Sequence, residues 1–488
     1  MGRDVQESPE GVPETAHDKP ESKTSSRTQR SSASESSEAS PGNDSSSSGR
    51  SEGGPSQNNQ SDSRRGGGNS GGNKRRRRGR RRKPRAQERG GPSESELLSD
   101  LPDDPEELME LARPLGLLEV LGSGSGFIRR RESGYAPGND DIYVASRFIQ
   151  KYGLRTGDEL MGIVGTQARS GKSPPLAYLA RVNDRDPEEI KRRPEFQRLS
   201  ALHPDEQLVL ECGRTWRGEP EFTNRVIDLF CPFGKGQRAM IVAPAKAGKT
   251  MVMQAVAEGI VKNNPECHLL ILLVDERPEE VTEMEQGGFG EVIASTFDRP
   301  ADRHVQVAEM TLERARRRVE QGEDVVIILD SITRLARSYN TVSAGSGRTL
   351  TGGLDSNALE KPKRFLGSAR KISPTEGGGS LTIIATALVD TGSRMDQVIF
   401  EEFKGTGNSE LLLSRELADK RIYPAIDLSG SATRKEELLL DDDALWLSHA
   451  MRRQLSGVGT ADGMLELLGA MKKTSTNRDL IEWARAKT

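Results

Sequence analysis

The stretch APAKAGKT, residues 243–250, has the residue types and the spacing that a phosphate-binding loop requires. An apolar, strand-like run enters it and an apolar, helix-like run leaves it. Backbone N–H groups at such a loop-to-helix junction point towards anionic oxygens. Gly248 lets the backbone approach the ligand, the Lys249 ammonium reaches the β and γ phosphates, and the Thr250 hydroxyl binds Mg²⁺.

The loop departs from the usual pattern at one position. Ala243 stands where the first glycine is found, although the spacing and both flanks are kept. Lys246 is a second cation that we expect to face phosphate. The alternative, an accidental turn of small residues, does not account for the flanks. We therefore expect ATP to bind at Ala245, Lys246, Ala247, Gly248, Lys249, Thr250 and Met251.

Hydrolysis of a bound triphosphate also needs a metal-linked acid and a group that orients water. The apolar run DVVIILD ends in Asp330, where a carboxylate can serve a Mg²⁺ ion. The run HLLILLVDE ends in Glu276, which we assign as the base that polarises the attacking water. The alternatives are a helix cap for Asp330 and, for Glu276, a surface ion-pair cluster with Asp275 and Arg277.

A cation on the γ phosphate would stabilise the charge that develops during transfer. The candidates are Arg421 in ADKRIYPAID and Arg434 in SATRKEELLL, both far along the chain from the phosphate loop. In ring ATPases such arginines come from the neighbouring subunit. An ordinary salt bridge is the alternative for each.

These residues require an α/β domain with a mainly parallel sheet to position them. Continuous apolar runs predict strands that are covered on both faces, and helical periodicity lies between them, as in 307–321. The predicted strands are 238–243, 268–276, 292–296, 324–330 and 381–388. Further on, the pattern predicts an antiparallel hairpin that pairs 409–415 with 421–426, and then a helical C-terminal end.

The chain before this domain changes character several times. Residues 118–185 contain short β-branched or aromatic runs separated by Gly, Pro, Asn and Asp, which predicts a small antiparallel barrel. Residues 92–117 hold one short amphipathic helix with Asp104 as its N-cap. Residues 186–227 are charged and contain proline, so we interpret them as a connector to the ATPase domain, 228–488.

Residues 1–91 are rich in Ser, Gly, Glu, Asn, Gln and Arg and contain no aromatic residue. Such a segment cannot bury enough apolar surface to offset its ordering entropy, so we predict a long disordered tail. Its run KRRRRGRRRKPR, residues 74–85, carries ten positive charges in a chain of net charge -3. Such a block either solubilises the tail or binds a polyanion, and the neighbouring SRRGGGNSGG favours RNA. A eukaryotic nuclear-import signal would look the same.

Cysteine usage and hydropathy exclude several classes of protein. The three cysteines, Cys212, Cys231 and Cys267, have no metal-like spacing, and an odd number predicts reduced thiols. No apolar run approaches 18 residues and the first thirty residues lack a signal-peptide core. We therefore expect a soluble, cytoplasmic protein without a membrane partner.

The motifs together closely resemble the bacterial transcription termination factor Rho family of hexameric, RNA-dependent ATPases and RNA–DNA helicases. The resemblance is carried by IVAPAKAGKT, LLVDERPEEVTEM, ASTFDRPADRHVQVAEM, LDSITRLARSYNTV, LTGGLDSNAL, GGSLTIIATALVDTGSRMDQVI, EEFKGTGN and TRKEELL. It is nearly unbroken from about residue 225 to 440 and looser from 118 and towards the C-terminus. It implies a RecA-like ATPase domain and a cold-shock- or OB-like barrel.

At matching positions the resemblance implies particular roles at the ATP and Mg²⁺ site. It agrees with the roles given above to Lys246, Lys249, Thr250, Glu276 and Asp330. It adds that Arg277 couples adjacent subunits, that Arg434 is the arginine finger with Arg421 assisting, and that the Tyr423 ring stacks on adenine.

The resemblance also implies two loops that line a central pore and grip single-stranded RNA. They are the Gly-rich stretch 343–353 and the stretch DTGSR, 390–394. Because Gly and Ser are common in both, flexible connection is the alternative. The expected RNA contacts of the pore are Arg348, Thr391, Gly392 and Arg394.

In the barrel, the resemblance implies a primary site that prefers pyrimidine-rich RNA and stacks bases on aromatic rings. Its expected residues are Phe127, Arg129, Asp141 and Tyr143. Ser125 and Leu176 stand where the family often has further aromatics, and each lost ring removes about 1–3 kcal/mol of stacking. The hypothesis that follows is a weaker primary site, compensated by phosphate contacts of the arginine-rich tail. The family's N-terminal helical bundle is shortened here.

The function that the resemblance implies is ATP-driven 5′ to 3′ translocation on nascent RNA. The partners would be five further copies of the chain, which complete a homohexamer, and the RNA polymerase elongation complex. Two alternatives stay open: a catalytic subunit like that of the rotary ATP synthase, and an RNA-binding scaffold without catalysis. The barrel aromatics oppose the first, and the intact Lys249, Glu276 and Asp330 oppose the second.

Overall fold

The computed structural model describes residues 101–166, 173–343, 349–350, 352–355 and 357–487. Contacts divide the chain into Met1–Arg85 and Ala86–Thr488, and all the described residues belong to the second unit. The predicted tail with its basic run, the residue Arg348 and most of the stretch 343–353 therefore lie outside the description.

The predicted barrel is a five-stranded antiparallel sheet in the order β3-β2-β1-β4-β5. Tyr143 in β3 forms a parallel bridge to Pro175 beside β5, which brings the two edge strands together. Side chains alternate across each strand, so Leu118, Ile128 and Leu160 fill the interior while their neighbours face outwards. The strands are β1 (Arg113–Val120), β2 (Gly126–Arg129), β3 (Ile142–Val144), β4 (Glu159–Val164) and β5 (Leu176–Val182).

Short helices border the barrel. The first, α1 (Pro105–Leu111), begins at Asp104, whose carboxylate accepts the Glu106 N–H at 3.0 Å. It is followed by α2 (Ser146–Tyr152), between β3 and β4, and by α3 (Pro187–Ile190) after β5. The connector then contributes β6 (Ala201–Leu202), β7 (Thr215–Trp216), β8 (Glu219–Pro220) and α4 (Thr223–Phe230).

The ATPase domain is built on one mixed, mostly parallel sheet in the order β11-β10-β12-β16-β9-β17-β18. Residues such as Ile271, Ile328 and Ile384 are fully buried, as expected for strands with helices on both faces. The strands are β9 (Arg238–Pro244), β10 (His268–Glu276), β11 (Glu291–Thr296), β12 (Asp324–Asp330), β13 (Thr349–Leu350), β14 (Leu354–Asp355), β15 (Arg370–Ile372), β16 (Ser380–Val389), β17 (Ser409–Leu412) and β18 (Ala432–Thr433). The α/β prediction is confirmed.

Helices pack on both faces of this sheet and form the C-terminal end. Their bounds are α5 (Lys249–Asn263), α6 (Pro278–Gly287), α7 (Ala301–Val319), α8 (Ile332–Val342), α9 (Glu360–Leu366), α10 (Arg394–Lys404), α11 (Arg415–Asp419), α12 (Asp442–Leu455), α13 (Thr460–Met471) and α14 (Asn477–Arg485). The helix predicted over 307–321 is thus the second half of α7.

The hairpin predicted for 409–415 with 421–426 is present only around one antiparallel bridge, beside which the Ser414 N–H donates to the Ala425 carbonyl at 2.7 Å, and not as two paired strands. β17 lies parallel to β9, and its antiparallel partner is β18. Residues 421–426 form only one bridge, between Leu413 and Ile426. Arg421 has φ 59° and Pro424 has no N–H to donate, so this β-rich stretch cannot continue as a ladder strand.

The barrel is fixed to helix α7 by a network of partly and fully buried ion pairs. Arg314 contacts Glu159 of the barrel at 3.1 Å and Glu291 at 2.8 Å. Arg318 contacts the same Glu159 at 3.0 Å, and the Tyr135 hydroxyl donates to Glu291 at 2.7 Å. Burial opposes ionisation of Glu291, but the Arg314 charge outweighs it and holds the pKa of Glu291 below its usual range.

A second group of charges closes the same seam. The guanidinium of Arg193 lies 2.7 Å from Asp158 and 3.1 Å from Glu320, and both carboxylates are completely buried. Arg155 also contacts Glu320 at 3.0 Å. Gly157 has φ 91°, and a Cβ added there would lie 2.4 Å from the Glu313 carbonyl carbon, so the two backbones touch. The barrel and the ATPase domain therefore meet in a close-packed interface.

Candidate functional site

The phosphate loop connects β9 to α5, as the sequence predicts. Gly248 and Lys246 adopt left-handed backbone angles, with φ 89° and 64°. Ala245 and Lys246 are exposed, whereas Ala247 is buried, so the loop presents its backbone and Lys246 to solvent. A Cβ on Gly248 would lie 3.5 Å from the Tyr423 ring, which shows that this ring borders the loop. Met251 is half-buried in the first turn of α5.

Lys249 joins the two acids that the sequence singled out. Its ammonium donates to Asp330 Oδ1 and Oδ2 at 2.7 and 2.5 Å and to Glu276 Oε1 at 3.1 Å. Both carboxylates are almost fully buried. Burial disfavours the charged lysine, but the carboxylates outweigh it and raise the pKa of Lys249 above its usual value. Residues 249, 276 and 330 thus form one cluster at the carboxyl edge of the sheet.

The backbone at the end of β10 aims Glu276 into this cluster. Asp275 has φ 59° and interrupts the pairing of β10 with β11, as a bulge does. The Glu276 carboxylate also contacts the Arg334 guanidinium at 3.2 Å. The Thr386 hydroxyl donates to Asp330 Oδ1 at 2.7 Å, which fixes the second acid.

The donor set fits a hard divalent cation. Oxygen atoms of Glu276, Glu280 and Asp330 lie within 4.8 Å of one another, and Mg²⁺ prefers carboxylate oxygen ligands. Thr250, the second residue of α5, directly follows Lys249 in the chain and is half-buried. Burial and then the charge of Glu276 raise the pKa of Glu280, as expected for a carboxyl group crowded by like charge.

Arg277, Arg421 and Tyr423 lie at the solvent boundary of the site. The Arg277 side chain is largely exposed and, among the residues that the structure describes, forms an ion pair with Glu280 at 3.6 Å. Arg421 and Tyr423 line a cleft of ≈ 960 Å³ together with Phe222. A nucleotide base has room there beside the Tyr423 ring. The roles predicted for these three residues stay predictions.

Arg434 lies at the other end of the sheet from the phosphate loop. It follows β18, its backbone N–H donates to the Asn408 carbonyl at 2.9 Å, and its side chain is exposed. Burial and then the charge of Arg434 lower the pKa of Arg238, the first residue of β9. Because the phosphate loop follows the last residue of β9, Arg434 does not face the loop of its own chain.

The stretch DTGSR connects β16 to α10. Thr391, Gly392 and Arg394 are exposed and border a cleft of ≈ 630 Å³. The Thr391 hydroxyl donates to buried Asp396 at 2.6 Å, and Arg337 contacts the same carboxylate at 2.6 and 2.7 Å. Contact of this loop with RNA stays a prediction.

On the barrel, Phe127 and Tyr143 form a ring pair with centroids 5.8 Å apart and an interplanar angle of 67°. Arg129 lies 5.3 Å from the Phe127 centroid, is buried, and pairs with Glu119 and Asp141. Arg129 and Asp141 therefore support the rings, and both rings are partly exposed for stacking. Their contacts with RNA stay predictions.

The two departures from the family pattern in the barrel have different structural meanings. Leu176 is 1% exposed and packs in the barrel core. The interpretation of Leu176 as a ring lost from the stacking surface is therefore wrong, because its side chain does not reach that surface. Ser125 is half-buried, and its hydroxyl lies 3.0 Å from that of Ser123.

Sequence reasoning missed three participants: Glu280, Arg334 and Asp396. Glu280 lies in the first turn of α6, four residues after Glu276, and its signal was the last acid of the motif DERPEE. The signal for Arg334 was the pair of arginines three residues apart in TRLAR, which share one helix face.

Two family descriptions match adjoining parts of the chain. Residues 115–188 match "Rho termination factor, RNA-binding domain", and residues 223–433 match "ATP synthase alpha/beta family, nucleotide-binding domain". Within the described residues, no helix has both the length and the apolar character needed to cross a bilayer.

Proteins named transcription termination factor Rho are similar to most of the chain. The relative from Cereibacter sphaeroides is 50% identical over 370 residues, which cover 75% of this chain and 86% of the relative. The Pseudomonas aeruginosa relative is 51% identical over 372 residues, covering 76% and 88%. The Gemmatimonas aurantiaca relative is 54% identical over 357 residues, covering 73% of this chain but 48% of its own length.

The fold and the site define a nucleotide-binding ATPase that carries its own RNA-binding barrel. Only one of the two family descriptions accounts for the barrel, and the named relatives cover both domains. The chain belongs to the transcription termination factor Rho family.

Proposed function

We propose that this protein is a transcription termination factor: a bacterial, cytoplasmic homohexamer that moves 5′ to 3′ along nascent RNA. It separates RNA–DNA hybrids and releases RNA from the RNA polymerase elongation complex, using ATP hydrolysis. The observation that carries the proposal is one chain with two sites. Lys249 joins Glu276 and Asp330 in the ATPase domain, and the barrel presents the Phe127–Tyr143 ring pair.

The nucleotide site has residues suited to holding the phosphates and to activating the attacking water. Thr250 and Asp330 would hold Mg²⁺, which neutralises charge on the phosphates when it is bound. Lys246 and Lys249 bind phosphate oxygens, and the buried Glu276 carboxylate accepts a proton from the attacking water.

The boundary between neighbouring subunits supplies the remaining positive charges of the nucleotide site. Arg277 and Arg434 are exposed, and Arg434 lies beside Arg238, at the end of β9 opposite the phosphate loop of its own chain. A ring of heterologous interfaces brings such a residue to the phosphate of the next subunit. Arg421 lies beside Tyr423 on the cleft that we assign to adenine and assists from there.

Single-stranded, pyrimidine-rich RNA is the polymer that the barrel best fits. Partly exposed rings stack on bases of an unpaired strand, and the pore stretch containing Thr391, Gly392 and Arg394 grips the same strand further along. The ATP synthase-like alternative is disfavoured because that family accounts for residues 223–433 and not for the barrel.

The test uses the purified full chain. We expect native mass measurement to give a hexamer and expect poly(C) to raise the ATPase rate at least about tenfold. The variant Lys249→Met, which removes the phosphate cation, is the control for contaminating ATPases. An ATPase rate that is independent of poly(C), in a chain that stays monomeric, would contradict the proposal.

A further inference from the structure

A buried serine and a buried histidine lie behind the residue that precedes the proposed base. The Ser295 hydroxyl, near the end of β11, lies 2.7 Å from Nδ1 of His304, in the first turn of α7. Each of these two residues is 4% exposed. The other ring nitrogen of His304, Nε2, lies 3.9 Å from Oδ1 of Asp275. The three side chains therefore form a row that ends one residue before Glu276.

The surroundings of His304 select one arrangement of its protons. Burial is the largest influence on the ring and lowers the pKa of His304, which favours the neutral imidazole. A neutral imidazole carries one N–H and one lone pair. If Nδ1 carried the proton, the lone pair of Nε2 would face the negative Asp275 carboxylate. The favourable arrangement is the other one, in which the Ser295 hydroxyl donates to Nδ1 and the N–H of Nε2 points at Asp275.

This row differs from the nucleophilic triad of a serine hydrolase. In such a triad the serine hydroxyl binds Nε2 of the histidine and is open to the substrate, while the carboxylate binds Nδ1. Here the Ser295 hydroxyl is buried and binds Nδ1, and the carboxylate faces Nε2. The arrangement therefore suits the orientation of a carboxylate and not attack by the serine.

Asp275 is the residue at which the backbone turns Glu276 towards the nucleotide site. Its φ is 59°, and the pairing of β10 with β11 shifts register just before Glu276. A non-glycine residue keeps such a left-handed conformation where its surroundings hold it. His304 faces one carboxylate oxygen of Asp275, and the Arg334 guanidinium lies 4.0 Å from the other. These contacts hold the Asp275 side chain from both sides, and with it the bulge that aims Glu276.

We infer that Ser295 and His304 are positioning residues for ATP hydrolysis. Ser295 fixes the tautomer and orientation of the ring, the N–H of Nε2 holds the Asp275 carboxylate, and the bulge keeps Glu276 directed at the attacking water. Catalytic hydrogen bonds are often long without substrate and shorten when it binds, so we expect the 3.9 Å contact to tighten with ATP and Mg²⁺. This inference rests on the proposed function, in which Glu276 is the base.

The test uses the full chain with saturating poly(C) and compares two substitutions of one histidine. His304→Gln keeps an N–H donor near the position of Nε2, whereas His304→Leu removes the donor with a side chain of similar volume. The matched control is His268→Leu at the other end of β10, where the Nε2 atom lies 3.1 Å from Glu323. The measured quantities are kcat and KM for ATP, and the dissociation constant of a non-hydrolysable ATP analogue with Mg²⁺.

We expect His304→Leu to lower kcat by about 10–100-fold, because a misdirected Glu276 activates water poorly. KM and the analogue dissociation constant should change no more than about twofold, since the phosphate contacts are kept, whereas a general loss of fold would change both. His304→Gln should keep kcat within about threefold of the unchanged chain, and His268→Leu should leave it unchanged. Ser295→Ala releases the ring from its fixed tautomer and should lower kcat by about three- to tenfold.

A double substitution separates a positioning role from a structural one. In a chain that carries Glu276→Gln the base is already lost, so His304→Leu should lower kcat no more than about twofold further. If His304→Leu does not fold, Ser295→Ala with and without Glu276→Gln carries the same comparison.

Two kinds of result would count against these assignments. An unchanged kcat in His304→Leu or in Ser295→Ala, or a further loss of about tenfold or more in the Glu276→Gln chain, would overturn the inference and leave the proposed function intact. Absence of poly(C)-stimulated hydrolysis in the unchanged chain, or an unchanged kcat in Glu276→Gln alone, would overturn the proposed function and this inference with it.

Discussion

Substitution of Arg434 tests whether the active site is shared between subunits. β9 runs from Arg238, beside Arg434, to Pro244, where the phosphate loop begins. At about 3.3 Å per residue, the six steps between them span roughly 20 Å. Arg434 therefore cannot reach the phosphate bound by its own chain, and Arg434→Ala should lower kcat by about 10³–10⁵ through the loss of an arginine from the next subunit.

A mixed ring makes the expectation quantitative. Arg434→Ala chains keep an intact phosphate loop, and Lys249→Met chains keep an intact arginine. In a ring assembled from equal amounts of both, about one interface in four combines the two intact halves. A ring made of either variant alone has no interface of this kind.

The assay is a single-turnover measurement on co-expressed, doubly tagged rings with poly(C) present. It counts the fraction of sites that hydrolyse once, so it does not require every site of a ring to work in sequence. We expect about a quarter of the unchanged amplitude. An amplitude no higher than that of the parents would refute the shared site and the geometry from which it is argued.

Three further substitutions test other parts of the structure. Glu276→Gln keeps the shape of the side chain but removes the base, so kcat should fall by about 10²–10⁴ while ATP affinity, measured by equilibrium binding, changes little. Phe127→Ala removes a stacking ring and should weaken poly(C) binding by about 1–3 kcal/mol, with Phe289→Ala as a control for ring loss elsewhere. Arg193→Met leaves Asp158 buried without its cation, whereas Glu320 keeps Arg155, and should lower stability by about 3–5 kcal/mol, measured by denaturant unfolding. An unchanged kcat, RNA affinity or unfolding midpoint, respectively, would contradict the assignment concerned.

The elements that hold the nucleotide could be predicted because their signals are local. The loop around Gly248 needs small residues and a lysine at fixed spacing, and the strands ending in Glu276 and Asp330 are continuous apolar runs. Parallel strands bring their carboxyl ends to one edge, so the proximity of these residues follows from the strand assignment. Their contacts with Lys249 agree with that expectation.

Features that depend on long-range packing could not be predicted in the same way. The stretch around Tyr423 has the composition of a strand, yet it turns to bring its ring against Gly248. Strand propensity reflects the surroundings of a residue, and the neighbouring strand position is taken by β18. Leu176 was misjudged for a related reason, since a residue's position in a motif does not tell which face of the sheet its side chain occupies.

The ion pairs across the seam lacked any sequence signal. Arg193 was seen only as one charge in a polar connector, and its partners Asp158 and Glu320 are 35 and 127 residues away. Charged residues are expected at the surface unless they are paired, and pairing over such separations is decided by the folded topology.

The close-packed seam has a mechanical consequence. Tension on a strand held by the barrel passes through Arg314 and Arg193 directly into the ATPase domain, since backbone contact at Gly157 leaves no flexible hinge at that point. In the proposed function, the barrel would then be a stationary anchor while the predicted pore stretch moves the RNA. If that proposal holds, the RNA segment between the barrel and the predicted pore stretch would have to change its extension with each step.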